Sequence, residues 1–184
     1  MLKVIFNNKI IIWAILISLA LISRLMPHPW NFTPIGAIAL FSGFYFGKRY
    51  AFALPILAML SSDIFLGFYS WKLMLLVYGS LLLYVALGFW LKKHKKWYTV
   101  LGSSLLCSVL FFLITNFAVW AFTPWYPKIF SGLIQCYIMA IPFFRNTLLG
   151  DLFYVTTFFG AYEIAKVLVR KRFATLKKIP VLIK

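Results

Sequence analysis

Residues 31–69, NFTPIGAIALFSGFYFGKRYAFALPILAMLSSDIFLGFY, decide the fold. Two apolar segments flank the basic turn Gly47-Lys48-Arg49. Thr33 is expected to cap the first helix, with Pro34 in its first turn, where a missing N–H costs nothing. The second segment carries Ser61, Ser62 and Asp63 inside an otherwise apolar run. An ionisable side chain is expensive in hydrocarbon, so Asp63 should face protein or a water-filled cavity. The stretch predicts a helical hairpin with a polar point near one end, and the remaining segments close around it.

Composition carries the same message outward. Hydrophobic residues make up 64% of the 184-residue chain and aromatics 20%, against only three acids, Asp63, Asp151 and Glu163. Several apolar runs approach the length of a bilayer span, and every connection between them is short. The class is an all-α polytopic membrane protein with one transmembrane domain over 1–184, with no internal repeat and no separate soluble domain. The formal charge of +16 does not point to nucleic acid, because the basic residues lie at the ends of apolar runs, where positive-inside bias and anionic lipid account for them. Cys107 and Cys136 lie in apolar runs with no CxxC partner and no nearby histidine, so they read as buried thiols.

Six transmembrane helices are expected, over about 10–26, 34–46, 50–69, 72–91, 99–122 and 146–169. The first is read as a retained helix and not a signal peptide, because no small-x-small cleavage site follows it. Pro27-His28-Pro29 ends it. The second is short for a full span, so it is expected to be tilted, partly re-entrant or set in a thinned bilayer. Pro55 is expected to kink the third. Residues 129–144 are apolar but short and contain Pro142, which predicts a separate interfacial or re-entrant helix. Asn146 is the expected cap of the last span.

The charges test that count. With the N-terminus inside and six spans, fifteen of the nineteen Lys and Arg residues fall on the inner side, leaving Arg24, Lys72, Lys128 and Arg145 outside. That asymmetry predicts both termini in the cytoplasm. The other polar residues then gather at the outer end: Arg24, His28, Asn31 and Thr33 around the first loop, Asp63 in helix three, and Arg145, Asn146 and Asp151 opening the last helix. By three-and-four spacing, Thr147, Gly150, Asp151 and Tyr154 share one face, as do Met59, Asp63 and Gly67.

Each of these has a plainer reading. Arg24 with Asp63, or Arg145 with Asp151, can be structural ion pairs between helices. His28 sits between prolines as an ordinary loop residue, Thr115 and Asn116 can bond a neighbouring helix, and the tryptophans fit an interfacial belt. The chain has no phosphate-binding glycine loop, no HExxH and no metal-spaced cluster of His, Cys and Asp, so no cofactor is expected. Asp63 and Asp151 could in principle pair as acid and base, but SSDIF and LLGDLF differ from the GxGD pattern of intramembrane aspartyl enzymes, and no enzyme is expected.

The run PIGAIALFSGFYFGKRYAFALPILAMLSSDIFLGFY resembles the helix two–helix three region of the substrate-binding S components of energy-coupling-factor (ECF) transporters. Gly43-Phe44-Tyr45-Phe46-Gly47-Lys48-Arg49-Tyr50 matches their G-x-x-x-G-x-(K/R)-(Y/W) turn. The chain as a whole is similar to a group of bacterial membrane proteins without an assigned function, with NFTPIGAIALFSG early and IPFFRNTLLGDLFY late, themselves distantly S-component-like. The resemblance implies six helices, residence in the bacterial cytoplasmic (inner) membrane, and an outer substrate site roofed by the loop after helix one. It also implies a partner module of one membrane coupling subunit and two ATPases. Ala14 and Ser18 keep the spacing of the helix-one docking patch, with Ser in place of the second Ala. The expected function is capture of a small vitamin-like or other micronutrient solute, with Arg24, His28, Asn31, Asp63, Arg145 and Asp151 as binding residues. A membrane scaffold or assembly subunit of the cell envelope is the competing expectation.

Overall fold

The computed structural model describes residues 9–176, and among them all regular structure is helical. Six helices follow one another: α1 Lys9–Leu25, α2 Ile35–Tyr45, α3 Lys48–Leu66, α4 Trp71–His94, α5 Trp97–Phe122 and α6 Phe130–Leu176. Helices α3 to α6 are each long and apolar enough to cross a membrane, whereas α1 and α2 are shorter apolar helices. Ile64, Phe65, Leu75, Leu113, Ile138 and Ile164 stand exposed along these helices. So much apolar outer surface needs lipid to cover it, which marks a membrane protein.

The short helix α2 lies at the centre. It packs against α3, α4, α5 and α6, while α1 packs on α3. Nine of its eleven residues are buried. At about 1.5 Å per residue it is only about 17 Å long. The expected tilt or bilayer thinning is not needed to explain this, because a helix sheathed in protein need not match the hydrocarbon thickness. Its start also differs from expectation. Pro34 is itself the N-cap, no side chain caps the helix, and Thr33 faces the cavity described below. Helix α3 continues through Pro55 and ends at Gly67, whose φ of 95° lies in the region that favours glycine.

Small residues let α2 and α4 cross closely. A side chain on Gly43 would strike the Val85 carbonyl, and one on Gly88 would strike the Leu40 carbonyl. Beyond this crossing the bundle end is closed by rings: Phe41 and Phe44 of α2 meet Phe159 and Tyr162 of α6 with centroids 5.0–6.1 Å apart. Lys95 lies over the Phe44 and Tyr162 rings and pairs with Glu163. Lys92 donates to the Phe46 carbonyl at the C-terminus of α2, where a cation suits the helix end.

The last helix corrects the sequence reading. Residues 129–144 do not form a separate re-entrant helix: α6 runs unbroken through Pro142, and Asn146 lies within it and not at a cap. Proline inside a helix costs about 3 kcal/mol. Contacts with α5 on both sides of Pro142 oppose that cost. The Tyr137 hydroxyl donates to the Leu113 carbonyl at 2.8 Å, and the Phe144 ring lies 4.6 Å from Phe112. At about 70 Å the helix is more than twice the thickness of a bilayer core, so it extends past one. Cys107 and Cys136 are both free and buried, as their apolar settings predict.

Candidate functional site

A cavity of about 560 Å³ opens at the bundle end opposite the ring-closed one. Its wall is built from the loop after α1, the first turn of α2, and parts of α3 to α6. Two buried carboxylates stand at this end, and the chain treats them differently.

Asp63 is 1% exposed. Arg24 from α1 donates to its Oδ1 at 2.7 Å and also reaches Ser62 and the Met59 sulfur on α3. The Tyr78 hydroxyl of α4 donates to Oδ2 at 2.7 Å. The helical face of Met59 and Asp63, with Ser62 beside it, thus receives one guanidinium, and three helices are tied together. Arg24 lines the cavity, and Asp63 lies behind it.

Asp151 is 3% exposed and lines the cavity. It has no cationic partner among the described residues. The Tyr84 hydroxyl of α4 donates to its Oδ2 at 2.8 Å, and the Ser108 hydroxyl of α5 donates to the same oxygen at 2.7 Å. Oδ1 receives no hydrogen bond from the described residues. It faces Gly36 in the first turn of α2, where an added methyl group would collide with both Oδ1 and the Tyr84 ring. The positive end of the α2 dipole therefore lies against this carboxylate.

The pairing of Arg145 with Asp151 does not form. Arg145 is exposed and is not part of the cavity wall. Six positions apart on one helix, the two side chains point about 120° apart, so the same helix cannot bring them together. Of the six expected binding residues, Arg24, His28, Asn31 and Asp151 meet at the cavity, Asp63 stands behind it, and Arg145 lies outside it. Ala14 and Ser18 are exposed on α1.

The rest of the wall mixes polar and aromatic groups. Asn31 is held at φ 64°, a backbone state that asparagine tolerates better than most residues. Thr115 and Asn116 bond back to the Phe111 and Phe112 carbonyls of their own helix and also line the cavity. Thr147 lies one turn before Asp151 on the wall, while Gly150 and Tyr154 of the same stripe pack on Phe32. Tyr69, in the connection after α3, joins the rim. Burial and then the nearby Asp63 charge push its phenol up to about 12, against a smaller opposing effect of Arg24. It thus offers a hydroxyl and not a charge at neutral pH. Tyr69 and Trp125 line the wall, a role that a membrane belt alone does not assign.

Sequence reasoning missed Tyr84, Ser108, Tyr78 and Gly36. The signal for Ser108 was weak but present, in the series Ser103, Ser104, Ser108 along α5. The two tyrosines lie in a run with many aromatics, and nothing in the sequence marks them as carboxylate partners.

The profile of a family of unknown function (DUF6580) matches residues 5–176, and the chain belongs to that family. No curated protein and no solved structure matches it.

Proposed function

We propose that this protein is a substrate-capture subunit of ECF S-component type, which takes up a small vitamin-like or other micronutrient solute with an ATP-driven coupling module. The observation that carries the reading is the cavity: about 560 Å³, open at one end of the bundle, with the other end closed by packed rings. Its volume falls in the range of about 300–1,000 Å³ common for small-molecule sites. Its wall combines aromatic surface with a few polar groups, which is the composition that orients a small ligand. The cavity end faces out of the bacterial inner membrane, and the basic turns at residues 48–49 and 92–96 face the cytoplasm together with both termini. ATP hydrolysis falls to partner ATPases, and the exposed positions Ala14 and Ser18 face the coupling subunit.

A second reading has one observation in its favour. Arg24, Asp63 and Tyr78 form a bonded cluster across three helices, as a purely structural lock would. On that reading the protein is an envelope scaffold or assembly subunit.

Native mass spectrometry on the tagged protein, gently extracted from its own host, separates the two. Solute capture predicts a retained small molecule, or copurifying ATPases with a coupling subunit. Envelope-assembly proteins as the sole companions, with no small molecule across several detergents, would instead establish the scaffold.

A further inference from the structure

We infer that the cavity selects a small organic cation, a protonated amine on an apolar or aromatic body, with Asp151 Oδ1 as its counter-charge. This rests on the solute-capture reading and adds the charge of the solute. Among the described residues, Arg24, Asp63 and Asp151 set the charge balance in and behind the cavity. The Arg24 guanidinium is matched by Asp63 at 2.7 Å, and Ser62 and Met59 take up further contacts of the same nitrogen. That leaves one carboxylate in excess, and it is the one on the cavity wall. His28, also on the wall, is turned to its own loop, donating its Nδ1–H to the Met26 carbonyl at 2.7 Å. Arg145 is exposed and outside the wall.

The bonding of Asp151 is one-sided. Both hydroxyl donors, from Tyr84 and Ser108, converge on Oδ2. They hold the carboxylate in place without cancelling its charge. The N-terminal end of α2 adds roughly half a positive unit beside it, less than a full counter-charge. Asp151 lines the wall, and its Oδ1 is an acceptor with no donor among the described residues, packed close to Gly36, where a side chain would not fit. A carboxylate already standing at the α2 N-terminus also disfavours an anion there, by like-charge repulsion in a poorly screened interior. Around it, Tyr69, Tyr84, Phe111, Phe112 and Trp125 line the wall, aromatic surface of the kind that attracts a cation and covers an apolar body.

The test uses the full chain in vesicles of phosphatidylethanolamine and phosphatidylglycerol, titrated with phenethylamine, phenethyl alcohol and phenylacetate. These probes share a body and differ in charge. Binding is read by intrinsic tryptophan fluorescence and by the shift in thermal unfolding. The amine is expected to bind, with the alcohol and the acid weaker. Asp151→Asn keeps the shape and the acceptor for Tyr84 and Ser108 but removes the charge, and it should weaken the amine by about tenfold or more, the value of a charge-assisted hydrogen bond. Where the variant does not fold, the charge series on the unaltered chain decides alone. Equal or tighter binding of the alcohol or phenylacetate overturns the cation assignment and leaves solute capture standing. Undiminished amine binding by folded Asp151→Asn overturns Asp151 as the counter-charge. No binding by any of the three overturns the solute-capture reading itself.

Discussion

The two ends of this bundle are built on opposite principles. At the closed end, α2 and α4 touch backbone to backbone through Gly43 and Gly88, and rings from α2 and α6 fill the remaining space. Its charges sit at the margin, as Lys95 with Glu163, whose side chains are 26% and 45% exposed. At the open end parts of α2 to α6 surround a cavity, and charge moves inside: Asp63 and Asp151 are nearly fully buried. A membrane bundle stabilised only by packing would place its polar groups at the margins of both ends. Burying two carboxylates at one end alone is costly, and a cavity beside them gives that cost a purpose.

Within the open end, the two carboxylates differ again. Asp63 has a full counter-charge and binds α1 to α3; Asp151, on the cavity wall, has two hydroxyl donors on Oδ2 and none on Oδ1 among the described residues. The first is built as a brace, and the second holds its charge at the cavity wall without one. Perturbing each end in turn tests that division.

The largest effect is expected from Arg24→Gln. It strands the Asp63 carboxylate in the interior, a loss of about 3–5 kcal/mol when one partner of a buried pair is removed. Thermal unfolding in mild detergent should show it, together with poor recovery of monodisperse protein. A near-native melting temperature would mean that Asp63 is not a brace. At the closed end, Gly88→Val drives a side chain into the Leu40 carbonyl and should cost up to about 3 kcal/mol by forcing α2 and α4 apart. The same melting assay reads it, and an unchanged transition would show that the crossing is looser than described. Tyr84→Phe removes one of two hydroxyl donors to Asp151. A loss of about 1 kcal/mol is expected, along with altered solute binding, and a folded Tyr84→Phe protein that binds solute unchanged would remove Tyr84 from the site. Glu163→Gln should change stability by less than about 1 kcal/mol, because an exposed ion pair contributes little. A drop as large as that of Arg24→Gln would erase the contrast between the ends.

Much of this division could be read from residues 31–69 and from the sparse acids. Hydropathy and length gave the first five helices to within a few residues, since the end of an apolar run is also where basic or helix-breaking residues appear. The polar end was legible because three acids in 184 residues are conspicuous. Continuity of α6 through Pro142 was not legible, because it depends on support from α5, which local propensity does not contain. The partner of each carboxylate was equally hidden. Arg24 and Arg145 look alike in sequence, and only the helix azimuth puts one against Asp63 and the other on the surface. Tyr84 and Ser108 are too ordinary in an apolar helix to announce a carboxylate on a third element.

One measurement bears most directly on the central claim, that the open end is a water-accessible site and not a dry ion-paired core. Thr147→Cys places a thiol on the cavity wall one turn from Asp151, against a background in which Cys107 and Cys136 are buried. Intact cells are treated with a membrane-impermeant maleimide, with inverted vesicles and the unaltered chain as controls. An outward-opening cavity predicts labelling of Thr147→Cys in intact cells, well above the unaltered chain. No labelling from either side, in a protein that folds and inserts normally, would contradict the cavity, and labelling only in inverted vesicles would contradict its orientation.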